Sequence, residues 1–318
     1  MTELLDRHRL AAEGMGWRRI AELQRRGTLV RLRPGIFVRA EIFTRAPVAT
    51  RALLRAHALA ATTHEPGVFS HTTAAAAHGL PLVRTDDRVH TTDVDARGAA
   101  RSGVVRHRGP LADAEIVRLG PLRCTSLTRT LADLARTAPC ETSIAATDAA
   151  LHAAGPDAEA LRDAVRVVAR RSAHGVSRAM GRLAFADADA ESPGESISRI
   201  HLVRLGFRVR TQTAVLVPGG REYRVDFEMD DVFGEFDGAG KYSDPRLLGG
   251  RTPQQALLAE KRREDGIRGI TQRSLVRWQW AEIASSATLE NHLRGLGVRP
   301  RQTRGAFLTV GTEVGAPW

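Results

Sequence analysis

Four residues in the C-terminal third have the types and spacing to work on a phosphodiester: Asp226, Glu235, Asp237 and Lys241. The first three lie within Arg224-Val-Asp-Phe-Glu-Met-Asp-Asp-Val-Phe-Gly-Glu-Phe-Asp-Gly238. Asp226 falls near the end of one expected strand and Glu235 nine positions on in the next, a gap that a tight hairpin folds back on itself. Side chains alternate along a strand, so Glu235 and Asp237 face the same side and three carboxylates converge. Such oxygen donors suit Mg²⁺ or Mn²⁺, which keep several waters and take one or two carboxylates with the substrate phosphate. The ion polarises a phosphoryl oxygen and lowers the pKa of a water, the nucleophile of phosphodiester hydrolysis. Lys241, six positions after Glu235, is placed to orient that water or to offset charge developing on the phosphate.

Each of these residues also has a plainer reading. Asp226 and Glu235 suit solvated strand ends, Asp237-Gly238 suits a turn, and Lys241 before Tyr242-Ser243 suits an ordinary surface. Ser192, Pro193 and Glu195 fit the N-cap, N1 and N3 positions of a capping box, where Glu195 would satisfy backbone donors. Lys261 and Asp265, four apart, make a helix salt bridge.

Stepping outward, the order expected around the acids is helix (193–205), three strands (207–217, 222–228, 232–236), helix (253–267) and strand (274–278). The turn-forming run Phe185-Ala-Asp-Ala-Asp-Ala-Glu-Ser-Pro-Gly194 marks the boundary before it. The middle of the chain reads as helices at 47–64, 71–79, 127–137, 141–154, 157–171 and 174–186, with strands around 88–94, 104–107 and 116–124. At the N-terminus Trp17, Ile20, Ala21 and Leu23 recur at helical spacing until Gly27, and Thr28–Val38 reads as strand, turn at Pro34-Gly35, and strand. The expected fold class is therefore α+β and multidomain. It comprises a winged-helix module (1–45), a mixed α/β scaffold or interaction region (46–190), a restriction-endonuclease-like αβββαβ core (191–296) and a loose Arg/Gly/Thr-rich tail (297–318).

Winged helices read DNA with a helix in the major groove and a hairpin on the backbone or minor groove. The helix from Trp17 to Arg26 places Arg18, Arg25 and Arg26 on one face, shared with Glu22, and the hairpin offers Arg31 and Arg33. That is a phosphate-contacting surface, or simply a solvated one. His71 and His78, seven apart on a helix, are separated by about 10.5 Å of rise, too far for one ion, and read as capping or core histidines.

Composition bounds these readings. The 318 residues are 42% hydrophobic and 26% charged, enough for two or three packed domains. The net charge of +11 suits a polyanionic partner. Of 47 basic residues, however, only Lys241 and Lys261 are lysine, a bias of the kind a GC-rich coding sequence gives by filling generic surface positions with arginine. Cys124 and Cys140 show no paired spacing and read as small core residues. No apolar leader or run of about 18 residues is present, so the expectation is a cytoplasmic protein without membrane association.

Taken together, Ser192-Pro-Gly-Glu-Ser196, Arg224-Val-Asp-Phe227, Glu235-Phe-Asp-Gly238 and Glu260-Lys-Arg-Arg-Glu-Asp265 resemble the PD-(D/E)XK nuclease superfamily, and within it the very-short-patch-repair-like branch, over roughly Ser192 to Leu296. The resemblance implies metal ligation by Asp226 and Glu235, with Glu195 as an outer or metal-water contact. Asp237 stands where the superfamily usually has lysine; in the repair-like branch the basic side chain comes a few residues later, where Lys241 stands. Gly16–Val38, Val68–Leu82 and Thr125–Ala135 look like the AbiEi-type antitoxin and regulator family, whose winged helix binds operator DNA. The leading expectation is a Mg²⁺-dependent DNA endonuclease in phage defence or DNA repair. Its rival is a non-catalytic DNA-binding regulator or antitoxin with a degenerate nuclease fold, and RNA stands as a third substrate class.

Overall fold

A computed structural model describes residues 4–94, 103–217, 220–238 and 252–301. The chain is mixed α/β with several sheets. It divides into two compact units: Met1–Ala146 with Glu159–Leu183, and Thr147–Ala158 with Ala184–Pro317. The tail expected at 297–318 lies outside the described residues from 302 onward.

The first unit begins with β1 (Leu5–Asp6), α1 (Arg7–Ala12), α2 (Trp17–Arg25), β2 (Leu29–Arg33) and β3 (Ile36–Arg39). Asp6 caps α1, its carboxylate accepting from the amides of His8 and Arg9 at 2.9 and 2.8 Å. The strands form a sheet of order β1-β3-β2, and Leu5, Leu10, Ile20, Leu29 and Phe37 make its core. Gly35, with φ +78°, makes the turn after Pro34 that lets β2 and β3 pair antiparallel. The expected alternation of Val30 and Leu32 against Arg31 and Arg33 is shifted. Leu29 is the buried residue of the strand while Val30 and Leu32 are only half-buried, and the register shifts between Arg31 and Arg33.

The chain continues with α3 (Ala40–Arg45), α4 (Val48–Thr62), β4 (Val68–Phe69), α5 (His71–Ala77), β5 (Val89–Asp93), β6 (Val104–Arg108), β7 (Ile116–Leu119), β8 (Leu122–Thr125), α6 (Leu127–Thr137), α7 (Cys140–Ala154), α8 (Ala158–Arg170) and α9 (Val176–Phe185). The five-stranded sheet has order β6-β5-β4-β8-β7, with β4–β8 and β5–β6 parallel. The single strand expected over 116–124 is two strands, because Gly120 at φ +58° followed by Pro121 turns the chain back into a hairpin. Ala56, Leu59, Phe69, Ala74, Val89, Val104, Leu122 and Cys124 pack as one cluster, and alanines on α4 and α5 let the helices approach the sheet. Both cysteines are free and buried, and burial pushes the Cys124 thiol up to about 12. At the end of α6 the buried Arg182 guanidinium donates to the carbonyls of Leu134, Ala135 and Ala138 at 3.4, 3.1 and 2.8 Å, which satisfies acceptors the helix leaves open.

The second unit runs α10 (Pro193–Leu205), β9 (Val209–Val217), β10 (Arg221–Met229), β11 (Val232–Phe236), α11 (Pro253–Thr271), β12 (Leu275–Trp278) and α12 (Ser286–Gly295). The order through β12 is the helix, three strands, helix and strand expected from the sequence. β9, β10 and β11 form an antiparallel meander, and α11 carries the chain over to β12, which pairs parallel with β11. Ser192 caps α10 and Thr252 caps α11, the latter in a reciprocal box with Gln255. Ile267 of α11 packs with Val215, Val217, Phe233 and Leu275 of the sheet. Against α10 lies Trp278, whose indole donates to Ser198 Oγ at 2.7 Å and stacks on Phe227 with centroids 5.6 Å apart. The 147–158 segment joins this unit through Asp148, whose carboxylate accepts from Arg199 and from the Asp187 amide, both at 2.8 Å. Among the described residues no helix is long and apolar enough to cross a membrane.

The close fit around β11 yields a stability test. A Cβ built on Gly234 would lie 2.3 Å from the fully buried Trp278 ring and 2.9 Å from Met229 Cε, so a side chain there has no room. We expect Gly234→Ala to destabilise the protein by about 1–3 kcal/mol, the usual range for overpacking. Urea unfolding measures it; an unchanged midpoint would show that Trp278 is not held where the packing puts it.

Candidate functional site

Asp226 is brought next to β11 beside Glu235. β10 and β11 pair with Phe227 opposite Gly234 and Glu228 opposite Phe233, and Asp226 is the next residue of β10 beyond that ladder. At that point the Phe236 amide donates to the Asp226 carboxylate at 2.8 Å. On the other side of β10, Gln212 of β9 lies between the pairs Thr213–Val225 and Thr211–Phe227, opposite Asp226. Its amide donates to Glu195 at 3.1 Å. Glu195 therefore contacts the β9 residue that lies across from Asp226, and Asp226 meets the β11 backbone one residue after Glu235.

Glu195 also fills the capping role. It accepts from Ser192 Oγ at 2.7 Å and from the Glu191 amide at 3.0 Å, while its own amide donates to Ser192 Oγ at 3.2 Å. Asp237 sits just beyond β11, half-buried, with its amide donating to the Trp278 carbonyl at 2.8 Å. Lys241 lies outside the described residues.

The sequence reading did not assign partners to Glu235. This carboxylate is only 6% exposed. One oxygen accepts from Arg263 of α11 at 2.5 Å and the other from Arg277 of β12 at 3.1 Å. Arg263 also bonds Glu260 and the Arg224 carbonyl, and Arg277 bonds Glu260 and Glu264. Burial opposes the charge on Arg263, but the hydrogen bonds and charges of Glu260 and Glu235 outweigh it and raise its pKa. Arg277 is raised in the same way, burial being outweighed by Glu264, Glu235 and Glu260. The quoted motif Glu260-Lys-Arg-Arg-Glu-Asp265 contained this signal in part: residues 260, 263 and 264 recur at three- and four-residue steps, which puts them on one helix face.

No protein-family model matches the chain, and no curated protein proves similar to it.

In the N-terminal segment Arg18, Arg25, Arg26 and Arg31 are exposed and Arg33 is half-buried. Arg26 pairs with Glu22 at 2.6 Å, and Arg19 pairs with the same carboxylate at 2.8 Å. Glu22 thus removes part of the positive field of this face.

The arginine pair on Glu235 sets a measurable coupling. With Arg263→Met, Glu235 keeps only Arg277, and the cost expected is about 1–3 kcal/mol, that of a buried charge short of one partner. In a Glu235→Gln background the same substitution should cost less, leaving a coupling of about 0.5–3 kcal/mol. A double-mutant cycle from denaturant unfolding reads it, and equal costs in both backgrounds would mean that the two side chains do not interact.

Proposed function

We propose that this chain is a DNA-acting protein in which an N-terminal winged-helix-type module, residues 1–45, binds DNA. On this reading the second unit is a metal-dependent endonuclease of the restriction-endonuclease-like class. The observation that carries the reading is the contact of the Asp226 carboxylate with the Phe236 amide, one residue after Glu235, with Glu195 bonded to Gln212 on the neighbouring strand β9. The helix-strand-strand-strand-helix-strand order supports it.

The donor set fits Mg²⁺ or Mn²⁺ in kind, since Asp226, Glu235 and Asp237 offer carboxylate oxygens. When bound, the ion would supply Lewis-acid polarisation of a phosphoryl oxygen and activation of a water. What the chain itself does is set by Arg263 and Arg277. A phosphodiester is the anion these two guanidinium groups match as well as a carboxylate. As the substrate phosphate takes up one or both of them, Glu235 is released to act as an oxygen donor. Glu195 holds Gln212, and with it the β9 backbone beside Asp226, while the Phe236 amide fixes the Asp226 carboxylate.

A second reading has its own observation. Both oxygens of Glu235 are occupied by arginine, and Glu195 is satisfied as a cap. These are the features of a nuclease scaffold that binds DNA and does not cut it, and Asp237 in the usual lysine position points the same way. Under this reading the protein is a DNA-binding regulator or antitoxin.

Cleavage separates the two. We expect purified protein to nick or cut DNA with Mg²⁺ or Mn²⁺, and Asp226→Ala or Glu235→Ala to fall below about 1% of that rate. Silence of the wild type on single-stranded DNA, duplex DNA and RNA with every metal favours the regulator. Equal cutting by all three proteins would remove Asp226 and Glu235 from the site. Lys241→Arg should lose activity while remaining folded, because a planar fork cannot replace a compact ammonium. A single-turnover rate within about twofold of wild type, ~0.4 kcal/mol in the barrier, would sink that role.

DNA affinity of the N-terminal module is tested by salt. Each phosphate neutralised adds about −0.9 to the slope of log affinity against log salt. Replacing Arg18, Arg25, Arg31 and Arg33 together should flatten the slope in proportion; an unchanged slope would put the DNA-binding surface elsewhere on the chain.

A further inference from the structure

The first unit contains a second cluster of ligating groups, built from three histidines far apart in sequence. β5 and β6 are parallel with Thr92 opposite His107 and His90 opposite Val105, so His90 and His107 stand diagonally on one face of the sheet. His71 follows β4, on the other side of β5, where the Ser70 amide donates to the His90 carbonyl at 3.0 Å. One ring nitrogen of each histidine lies within 4.8 Å of the others. His90 Nδ1 and His107 Nε2 are 2.9 Å apart, and the His71 and His107 rings stack with centroids 3.6 Å apart.

The nitrogens directed away from the cluster are also engaged. His90 Nε2 meets Asp86 Oδ1 at 3.0 Å, and His71 Nδ1 meets Ser70 Oγ at 2.9 Å. A metal-ligating imidazole is usually oriented in this way, its second nitrogen bonded to a carboxylate or other oxygen that fixes the ring and raises its basicity. The backbone adds an independent observation. His71 has φ +52°, a left-handed conformation that is unfavourable for a non-glycine residue, and such strain gathers at functional sites.

We propose that His71, His90 and His107 form a binding site for a late first-row divalent cation, Zn²⁺ by ligand type, with Asp86 as the partner that orients His90. Three imidazoles suit zinc among the biologically common ions, and a three-ligand set leaves a fourth position open. Zn–N bonds of about 2.0–2.1 Å place ligand nitrogens about 3.3 Å apart, so the His90–His107 pair would open slightly from 2.9 Å and the other separations, all within 4.8 Å, would settle to that spacing around the ion. Burial in the first place, and then the neighbouring histidines and Arg136, hold His71 well below the usual histidine range. The same causes hold His107 at about 4, which keeps both rings neutral. Asp86 is held at about 2: burial would raise it, and the hydrogen bond and charge of His90 together with the hydrogen bonds from Arg88 more than compensate, so it meets the cluster as a carboxylate.

The test uses the full chain, stripped with a chelator and titrated with Zn²⁺ by calorimetry and with Co²⁺ by its visible ligand-field bands. One ion per chain is expected, with a Co²⁺ spectrum typical of nitrogen ligands and a rise in Tm on adding Zn²⁺. His107→Ala should weaken binding by more than about 100-fold. Asp86→Asn, which leaves every ligand in place, should weaken it by about 10–100-fold, the range for an orienting partner. Circular dichroism and melting of the metal-free proteins check folding, and the Asp86→Asn result stands even where a histidine variant fails to fold. Asp226→Ala, in the other unit, should bind Zn²⁺ as wild type does, which separates this site from the proposed nuclease centre. Absence of stoichiometric binding, or binding unchanged by both His107→Ala and Asp86→Asn, would overturn the proposal.

Discussion

Glu235 is a carboxylate removed almost wholly from water at the end of a sheet ladder, and the second unit is organised around that fact. Taking such a charge out of water costs several kcal/mol unless it is paired and hydrogen-bonded. The pairing comes from two elements, α11 through Arg263 and β12 through Arg277. Glu260 and Glu264 on α11 then balance the second arginine, so one helix supplies both a cation for the sheet and the anions for its neighbour. The crossover that makes β12 parallel to β11 is held in register by these charges as well as by Ile267 and its apolar neighbours.

The same device recurs in each unit, and it changes how the arginine content is understood. In the first unit Asp133, with no solvent exposure, is bonded by Arg129 and Arg136 of its own helix. In the second, Asp148 is bonded by Arg199, which also donates to the Phe185 carbonyl and lies over the Phe185 ring at 4.3 Å. Burial pushes the pKa of Asp133 and Asp148 up, and the arginines beside each oppose that shift. Read from composition alone, arginine fills generic surface positions. In the fold a set of them sits beside buried acids, where a planar five-donor fork suits a carboxylate better than lysine does. The net charge of +11 is therefore a weaker guide to a nucleic-acid surface than the few exposed arginines of α2 and β2.

Periodicity and local punctuation were enough to read most elements. Ser192-Pro193 and Thr252-Pro253 mark helix starts because a cap oxygen and a proline at N1 act within four residues. The strands of the meander were legible from alternation. β1 and β4, two residues each, escaped because so short a strand has no pattern and exists only through its partners. Gly120-Pro121 was a readable turn that the apolar run on either side concealed. The partners of Glu235 were partly legible on the α11 face, whereas Arg277 arrives from another strand. His71 shows the limit most clearly. Its helix neighbour His78 bonds the Thr125 carbonyl at 2.8 Å, and the distance argument rightly separated the two. The histidines that His71 does meet are 19 and 36 positions away and depend on a parallel β5–β6 pairing that no local signal encodes.

Stability and chemistry make different demands on the Glu235 network, and the difference bears on which function it serves. A buried ion pair is weak as a stabilising device, since apolar residues of similar volume in its place are often as good or better. The five groups Glu235, Arg263, Arg277, Glu260 and Glu264 converge on the end of β11, while the apolar cluster of the same unit lies along the sheet with Ile267. Arginines at that position have a use that packing does not require, because guanidinium forks exchange carboxylate for phosphate with little loss of geometry. On the function proposed above, a network that trades one anion for another would keep Glu235 satisfied in the absence of DNA and expose its oxygens in the presence of it. It also makes Arg263 and Arg277, not the acids alone, the residues through which DNA binding and the catalytic acids would be coupled.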